Sequence, residues 1–212
     1  QAGGRDELVA RLGDPETRRR IKGEIVDRIE HDRGGGDPQN VVIGLCVWDR
    51  SLEGKNLAEI LTERGIEVTL PNASDLVMDI IARGGARAIY HAMDEADVER
   101  IMQHPVTAIG SDGGVSVFGQ SVPHPREYGT FARVLGRYVR ERGVLTLEEA
   151  VRKMSGATAQ RLGVQDRGRL REGLFADIAV FDPDRIQDRA TFAEPHQYAE
   201  GMVYVLVNGT LV

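Results

Sequence analysis

The chain has 212 residues, 41% of them hydrophobic, which is enough for one ordinary core or two small ones. Its formal charge of −6 argues against a nucleic-acid partner, which needs a basic footprint. No apolar run approaches the ~18 residues of a membrane span, and the opening QAGGRDELVARLGD is no signal peptide. A lone Cys46 makes no internal disulfide, so a soluble, cytoplasmic protein is expected. Lys22, Lys55 and Lys153 are the only lysines among 27 basic side chains, a bias read as genome composition.

Residues 6 to 31 read as two helices split at Asp14-Pro15, with Pro15 at the first helical position of the second. That second helix is charged nearly all round. Ile21, Ile25, Val26 and Ile29 form only a narrow stripe, as on a surface excursion. HDRGGGDPQN then carries every signal of a loop. NVVIGLCV, from Asn40 to Val47, is a β-branched run that predicts a buried strand. Asn56 is placed to cap a helix bearing Leu57, Ile60 and Leu61, with Glu59 at the third position and Gly65 as its stop. Ser74 precedes a second such helix, with Leu76, Val77, Ile80 and Ile81 on one face and Gly84-Gly85 as its end.

A strand is expected over Ala86 to Ala92, a helix from Asp94 to His104 with Val98, Ile101 and Met102 inward, and a strand over Val106 to Gly110. This alternation predicts parallel βαβ units. Further helices are expected over Tyr128 to Arg142 and Thr146 to Met154. The latter starts on a Thr146–Glu149 capping box and turns Leu147, Ala150, Val151 and Met154 to one face. From Gly168 the pattern changes to short alternating strands, and Asn208-Gly209 is a two-residue hairpin signal.

The most informative stretch is VTAIGSDGGVSVFGQSVPHPREYGTF, from Val106 to Phe131. A short apolar run meets one acid, Asp112, between Ser111 and Gly113-Gly114. A polar loop then delivers His124, Pro125 and Arg126. A strand that ends in an acid within a glycine-rich turn is how parallel α/β enzymes present a carboxylate at the C-terminal face of the sheet.

In this context the chain resembles the C-terminal part of the D-aminoacylases, the N-acyl-D-amino-acid deacylases of the amidohydrolase superfamily. The resemblance rests on IGSDGG, HPREYGTFARVLGRYVRE, LTLEEAVRKMSGATAQRLGVQDRGRLREGLFADIAVFDP and ATFAEPHQYAEGMVYVLVNGTLV, nearly continuous from about residue 74 to the end. It implies an α/β fold: the C-terminal part of a distorted (β/α)8 TIM-type barrel plus strands of a flanking β-sandwich shared between the two ends of a longer chain. Residues 1–73 would be a helical or αβ insertion before the last barrel strands, 74–163 those strands and helices with the active-site loop, and 164–212 the sandwich portion.

The resemblance also implies chemistry. A barrel-bound zinc would activate water to attack the amide carbonyl of an N-acyl-D-amino acid. Zinc brings the pKa of bound water to about 7. Asp112 would touch the metal, take the proton from water as general base and return it to the leaving amine as general acid. A complete zinc site needs three or four ligands. The family's H-x-H pair and cysteine ligand have no counterpart among His31, His91, His104, His124, His196 and Cys46. Gln1 is not a natural start, and 212 residues fall short of the ~250 of a whole barrel. The chain therefore reads as a fragment, to be completed by a missing N-terminal half or by self-association through its open sheet edges. Neither nucleic acid nor membrane is expected as a partner. Another amidohydrolase, dihydropyrimidinase-like or isoaspartyl-dipeptidase-like, and a non-catalytic truncated homologue serving as an assembly module are the competing readings.

Residue by residue, Asp112 as acid–base competes with Asp112 as a turn residue. Arg126 matches a substrate carboxylate bidentately, against an ordinary surface arginine. His124 either touches substrate or orients the loop. Met93 either lines the side-chain pocket or fills a core gap. His91 is read as a satisfied core histidine before a metal ligand, and Cys46 as a small buried residue. Glu194, His196 and Tyr198 are read as tying the tail back onto the barrel.

Overall fold

The computed structural model describes residues 3–212; Gln1 and Ala2, and with them the reading of the first residue, lie outside the described residues. The chain forms two compact units. One comprises Gln1–Ala92 with Gly119–Pro123, the other Met93–Phe118 with His124–Val212.

In the first unit, α1 (Gly4–Gly13) and α2 (Pro15–Arg28) divide at Asp14, whose carboxylate accepts the Thr17 N–H at 2.8 Å. This is the split that Asp14-Pro15 predicts. The helix then continues as a π-helical segment, Ile29–Arg33, so the loop begins later than His31. α2 packs on α4 (Leu70–Arg83), where Asp75 receives Lys22 at 2.5 Å and Arg18 at 3.0 Å. Burial would push the Asp75 carboxyl up, but the two basic partners outweigh it and hold the group below the ordinary aspartate value.

Between them run β1 (Val41–Leu45) and α3 (Leu57–Glu63). The predicted cap of α3 is complete: Asn56 accepts from the Glu59 N–H and Glu59 from the Asn56 N–H, both at 2.9 Å. α4 starts four residues before Ser74. Thr69 is its cap, Pro71 lies in its first turn, and Ser74 is fully buried inside it, donating to the Lys22 carbonyl at 3.1 Å. A buried serine bonded to a neighbouring helix imitates a cap in the linear sequence. Ile43, Leu57, Ile60, Leu61 and Leu76 form the core. Each fully buried side chain of this size contributes about 1.5–3 kcal/mol.

β2 (Arg87–Tyr90) pairs with β1 antiparallel, Val41 opposite Tyr90 and Ile43 opposite Ala88, which corrects the expected parallel arrangement. The reason is the connection. One helix between two strands returns the chain parallel, whereas two successive helices, α3 and α4, reverse it once more.

The second unit begins with α5 (Glu95–Gln103), capped by Asp94. Met102 is buried, but Ile101 is 57% exposed and does not face inward as expected. The predicted strand over Val106 to Gly110 does not form. Val106 is 83% exposed, the Thr107 N–H returns to the His104 carbonyl at 3.1 Å, and the Ile109 N–H goes to the Lys153 carbonyl at 3.2 Å. An apolar run becomes a strand only beside another strand, and here a helix takes its hydrogen bond.

α6 (Arg126–Arg133) continues as a π-helical segment, Val134–Glu141, and α7 (Leu147–Met154) follows. Only half of the expected capping box is made: Thr146 accepts the Glu149 N–H at 3.2 Å, while the Glu149 carboxylate turns to Arg152. Gly136 allows close packing, since a side chain there would come 2.6 Å from the Ile186 carbonyl. After α8 (Gly156–Arg161), β3 (Ile178–Phe181), β4 (Met202–Val207) and β5 (Thr210–Leu211) form an antiparallel sheet in that order. Asn208 (φ 50°) and Gly209 (φ 80°) make the β4–β5 turn, both with the positive φ that such a two-residue hairpin requires.

Candidate active site

The acid turn is built from local chemistry within the second unit. Ser111 Oγ accepts the Gly113 N–H at 3.2 Å, and Asp112 takes φ 48°, a left-handed conformation that aspartate tolerates better than most residues. Gly113 lets the turn approach α6 closely, because a Cβ there would lie 3.1 Å from the Glu127 Cα, tighter than an ordinary contact. The turn therefore rests on the first turn of α6, and the Ser116 hydroxyl donates to the Glu127 carboxylate from the same side. The Asp112 side chain is 87% exposed, and its Oδ2 lies 3.0 Å from Arg126 Nη2.

Arg126 heads α6 just after His124-Pro125. His124 Nδ1 accepts the Arg126 N–H at 3.0 Å, and the imidazole meets the Phe192 ring edge-on at 5.0 Å. His124 is thus in the position of an orienting residue for the arginine. Asp112 and His124 both meet Arg126, one at its side chain and the other at its backbone N–H. Met93 takes no part in these contacts and is 78% exposed, one residue before the α5 cap. His91 belongs to the other unit, where its N–H donates to the Asn40 carbonyl at 2.8 Å.

Two features were not legible as functional in the sequence. The first is an aromatic cluster. Phe118 stacks on Tyr198 at 5.3 Å, and the Tyr128 hydroxyl is hydrogen-bonded to His196 Nδ1 at 2.9 Å. Burial, with Tyr198 and Glu127 nearby, pushes the Tyr128 phenol above its ordinary range, so it stays neutral. His196 and Tyr198 therefore do fasten the tail, to Tyr128 and Phe118. The second feature is Lys153, fully buried on α7, whose ammonium reaches the segment leading to Asp112. Its spacing of three from Ala150 and four from Glu149 was the available signal.

Beside these residues lies a largely apolar cleft of about 770 Å³, lined by Phe131, Leu135, Met154, Ile178 and Met202, with Ser111 and Arg126 among its polar residues. Among the described residues no three His, Cys, Asp or Glu side chains lie together as a metal site. Asp112 offers one carboxylate, already paired with a guanidinium.

A profile of the amidohydrolase family matches residues 24–212. The chain is 44% identical over 171 residues to a D-aminoacylase of Alcaligenes xylosoxydans xylosoxydans, covering 81% of this chain and 33% of that protein. It is 46% identical over 159 residues to an N-acyl-D-glutamate deacylase of the same organism, covering 75% and 30%. The crystal structure of the N-acyl-D-glutamate deacylase of Bordetella bronchiseptica, complexed with zinc and a phosphonate inhibitor, superimposes with a TM-score of 0.73 at 39% identity, covering 88% of this chain and 36% of that one. The chain thus spans about a third of the length of the curated relatives it matches. With its mixed helix and strand fold matching such structures, the chain belongs to the amidohydrolase family.

Proposed function

We propose that this chain is the C-terminal portion of a zinc-dependent deacylase that converts an N-acyl-D-amino acid and water to a D-amino acid and a carboxylate. The observation that carries the reading is the ion pair of Asp112 and Arg126, formed within a sequence 42–46% identical to a D-aminoacylase, an N-acyl-D-aspartate deacylase and an N-acyl-D-glutamate deacylase. Arg126 binds the substrate carboxylate, a planar anion that its fork of donors matches. His124 holds the Arg126 backbone, and Met93 lines the side-chain pocket. Asp112 takes the proton from water and returns it to the leaving amine, which a single carboxylate does in turn as base and acid.

Zinc enters this reading from the Bordetella relative, which was solved with it. Zinc sites take three or four protein or water ligands. The described residues supply one carboxylate and no cluster of three, so they do not fit a zinc site by themselves. The remaining ligands come from outside this chain, from a missing N-terminal half or a second copy.

The same proposal extends to architecture. Residues 1–73 form an insertion, 74–163 the last strands and helices of a distorted (β/α)8 barrel, and 164–212 part of a flanking sandwich. β4 supports the sandwich: Met202, Val203, Tyr204, Val205 and Val207 are all substantially exposed. No helix among the described residues is long and apolar enough to cross a membrane. A cytoplasmic location is part of the proposal and rests on the lone, buried Cys46.

The test is hydrolysis of N-acetyl-D-methionine and N-acetyl-D-glutamate, beside their L-forms, with added zinc. The chain alone is compared with a chimera in which it replaces the matching third of the Alcaligenes D-aminoacylase. Activity on the D-forms by the chimera and none by the chain is the expected result. A folded, zinc-loaded chimera inactive on every substrate would favour the non-catalytic assembly module instead.

A further inference from the structure

We propose that Lys153 is a positioning residue for Asp112: from inside α7 it clamps the strandless segment that carries the acid. The kinetic part of this inference rests on the deacylase reading above, and the structural part does not.

Lys153 has no solvent exposure. A buried ammonium is costly unless its donors are satisfied. Here they are directed to the His104 carbonyl at 2.5 Å and the Thr107 carbonyl at 3.2 Å, with the Glu149 carboxylate at 3.5 Å. The Lys153 carbonyl in turn accepts the Ile109 N–H at 3.2 Å, and neighbouring Arg152 donates to the Pro105 carbonyl at 2.8 Å. Four backbone groups between His104 and Ile109 are therefore bound by two consecutive residues of one helix.

No strand pairs with residues 104–112 among those described, so ladder hydrogen bonds do not hold this segment. Asp112 follows Ile109 by three residues. Its other support comes from downstream, through Arg126 at 3.0 Å and the close seat of Gly113 on Glu127. The acid is thus suspended between two anchors, the last turn of α7 and the first turn of α6. An arginine that turns to a substrate carboxylate gives up its hold on Asp112, so during turnover the acid depends on the Lys153 clamp upstream and the seat of Gly113 on Glu127 downstream. An apolar side chain at 153 would fill the space but leave the Thr107 carbonyl without its lysine donor and the His104 carbonyl with the Thr107 N–H alone.

Hydrogen exchange of this chain tests the clamp directly. In the wild type the Ile109 amide is expected to be protected to the level of the α7 amides. Lys153→Met should speed exchange at Thr107 and Ile109 about tenfold or more while α5, α6 and α7 stay protected, and Lys153→Arg should stay near wild type. Free exchange of Ile109 in the wild type would overturn the clamp without any variant. Uniform loss of protection across the unit in Lys153→Met would overturn it too, since the lysine would then be a general core support. In the active chimera, Lys153→Met should lower kcat ~10- to 100-fold, the scale of a small misplacement of a reacting group, with KM little changed and with rescue by Lys153→Arg. A rise in KM at constant kcat, or no rescue, would count against positioning. A chimera inactive before substitution speaks against the deacylase reading, and the exchange result alone then decides the clamp.

Discussion

Arg126 Nη2 stands 3.0 Å from Asp112 Oδ2, so the acid proposed to move the proton is paired with the arginine proposed to bind substrate. Both side chains are substantially exposed, and such pairs contribute only about 0–1 kcal/mol. An incoming carboxylate can therefore take over the guanidinium at small cost. Substrate binding would separate the pair and release the aspartate for chemistry.

Asp112→Asn in the chimera keeps the shape of the turn and removes the basic oxygen. Turnover is expected to fall by about 10²–10⁴-fold, the usual contribution of a positioned acid–base group, while zinc remains bound through the other ligands. Metal content and kcat are measured on the same preparation, and normal turnover would remove Asp112 from the mechanism.

Arg126→Ala is expected to act mainly on KM. Loss of a charge-assisted hydrogen bond of about 1.5–3 kcal/mol corresponds to roughly a 10- to 100-fold drop in kcat/KM. Arg126→Lys should recover only part of it, because an ammonium lacks the planar fork. An amide analogue of the substrate, without the α-carboxylate, should be indifferent to both changes.

Glu149 gives a pH dependence of stability. The hydrogen bond from Arg152 holds its carboxyl down to about 2, against an ordinary 4.5, with Lys153 adding to the effect. The folded pKa is the lower one, so between these values the unfolded chain binds more protons. This contribution is fully present above about 4.5 and is lost as the pH falls toward 2. Thermal unfolding of the wild type should therefore drop more steeply from pH 5 to pH 3 than that of Glu149→Gln. Parallel curves would show that the Arg152 pair is not formed in solution.

Two glycine substitutions separate tight packing from open surface. Gly136→Ala puts a Cβ 2.6 Å from the Ile186 carbonyl and should cost about 1–3 kcal/mol, read as a lowered midpoint in urea. Gly23→Ala, inside α2 with nothing within 4 Å, should stabilise by roughly 0.5–1 kcal/mol. Equal effects at both sites would contradict the contact between the π-helical segment and Ile186.

Helix starts and tight turns were legible from residue order alone. Asp14-Pro15, the Asn56–Glu59 box and Asn208-Gly209 each appear as read, because each depends on partners within four residues. Asp112, His124 and Arg126 were singled out through a resemblance that runs from about residue 74 to the end, whereas the meeting of Asp112 with Arg126, fourteen positions on, belongs to the fold. The misreadings share one cause. Ser74 bonds to Lys22, 52 residues away, and Ile109 to Lys153, 44 positions on. The antiparallel pairing of β1 with β2 and the missing strand at Val106 likewise depend on which distant backbone groups meet. Local chemistry settles where a helix begins, but a strand or a buried polar group takes its form from its partner, and the partner is supplied only by the folded chain.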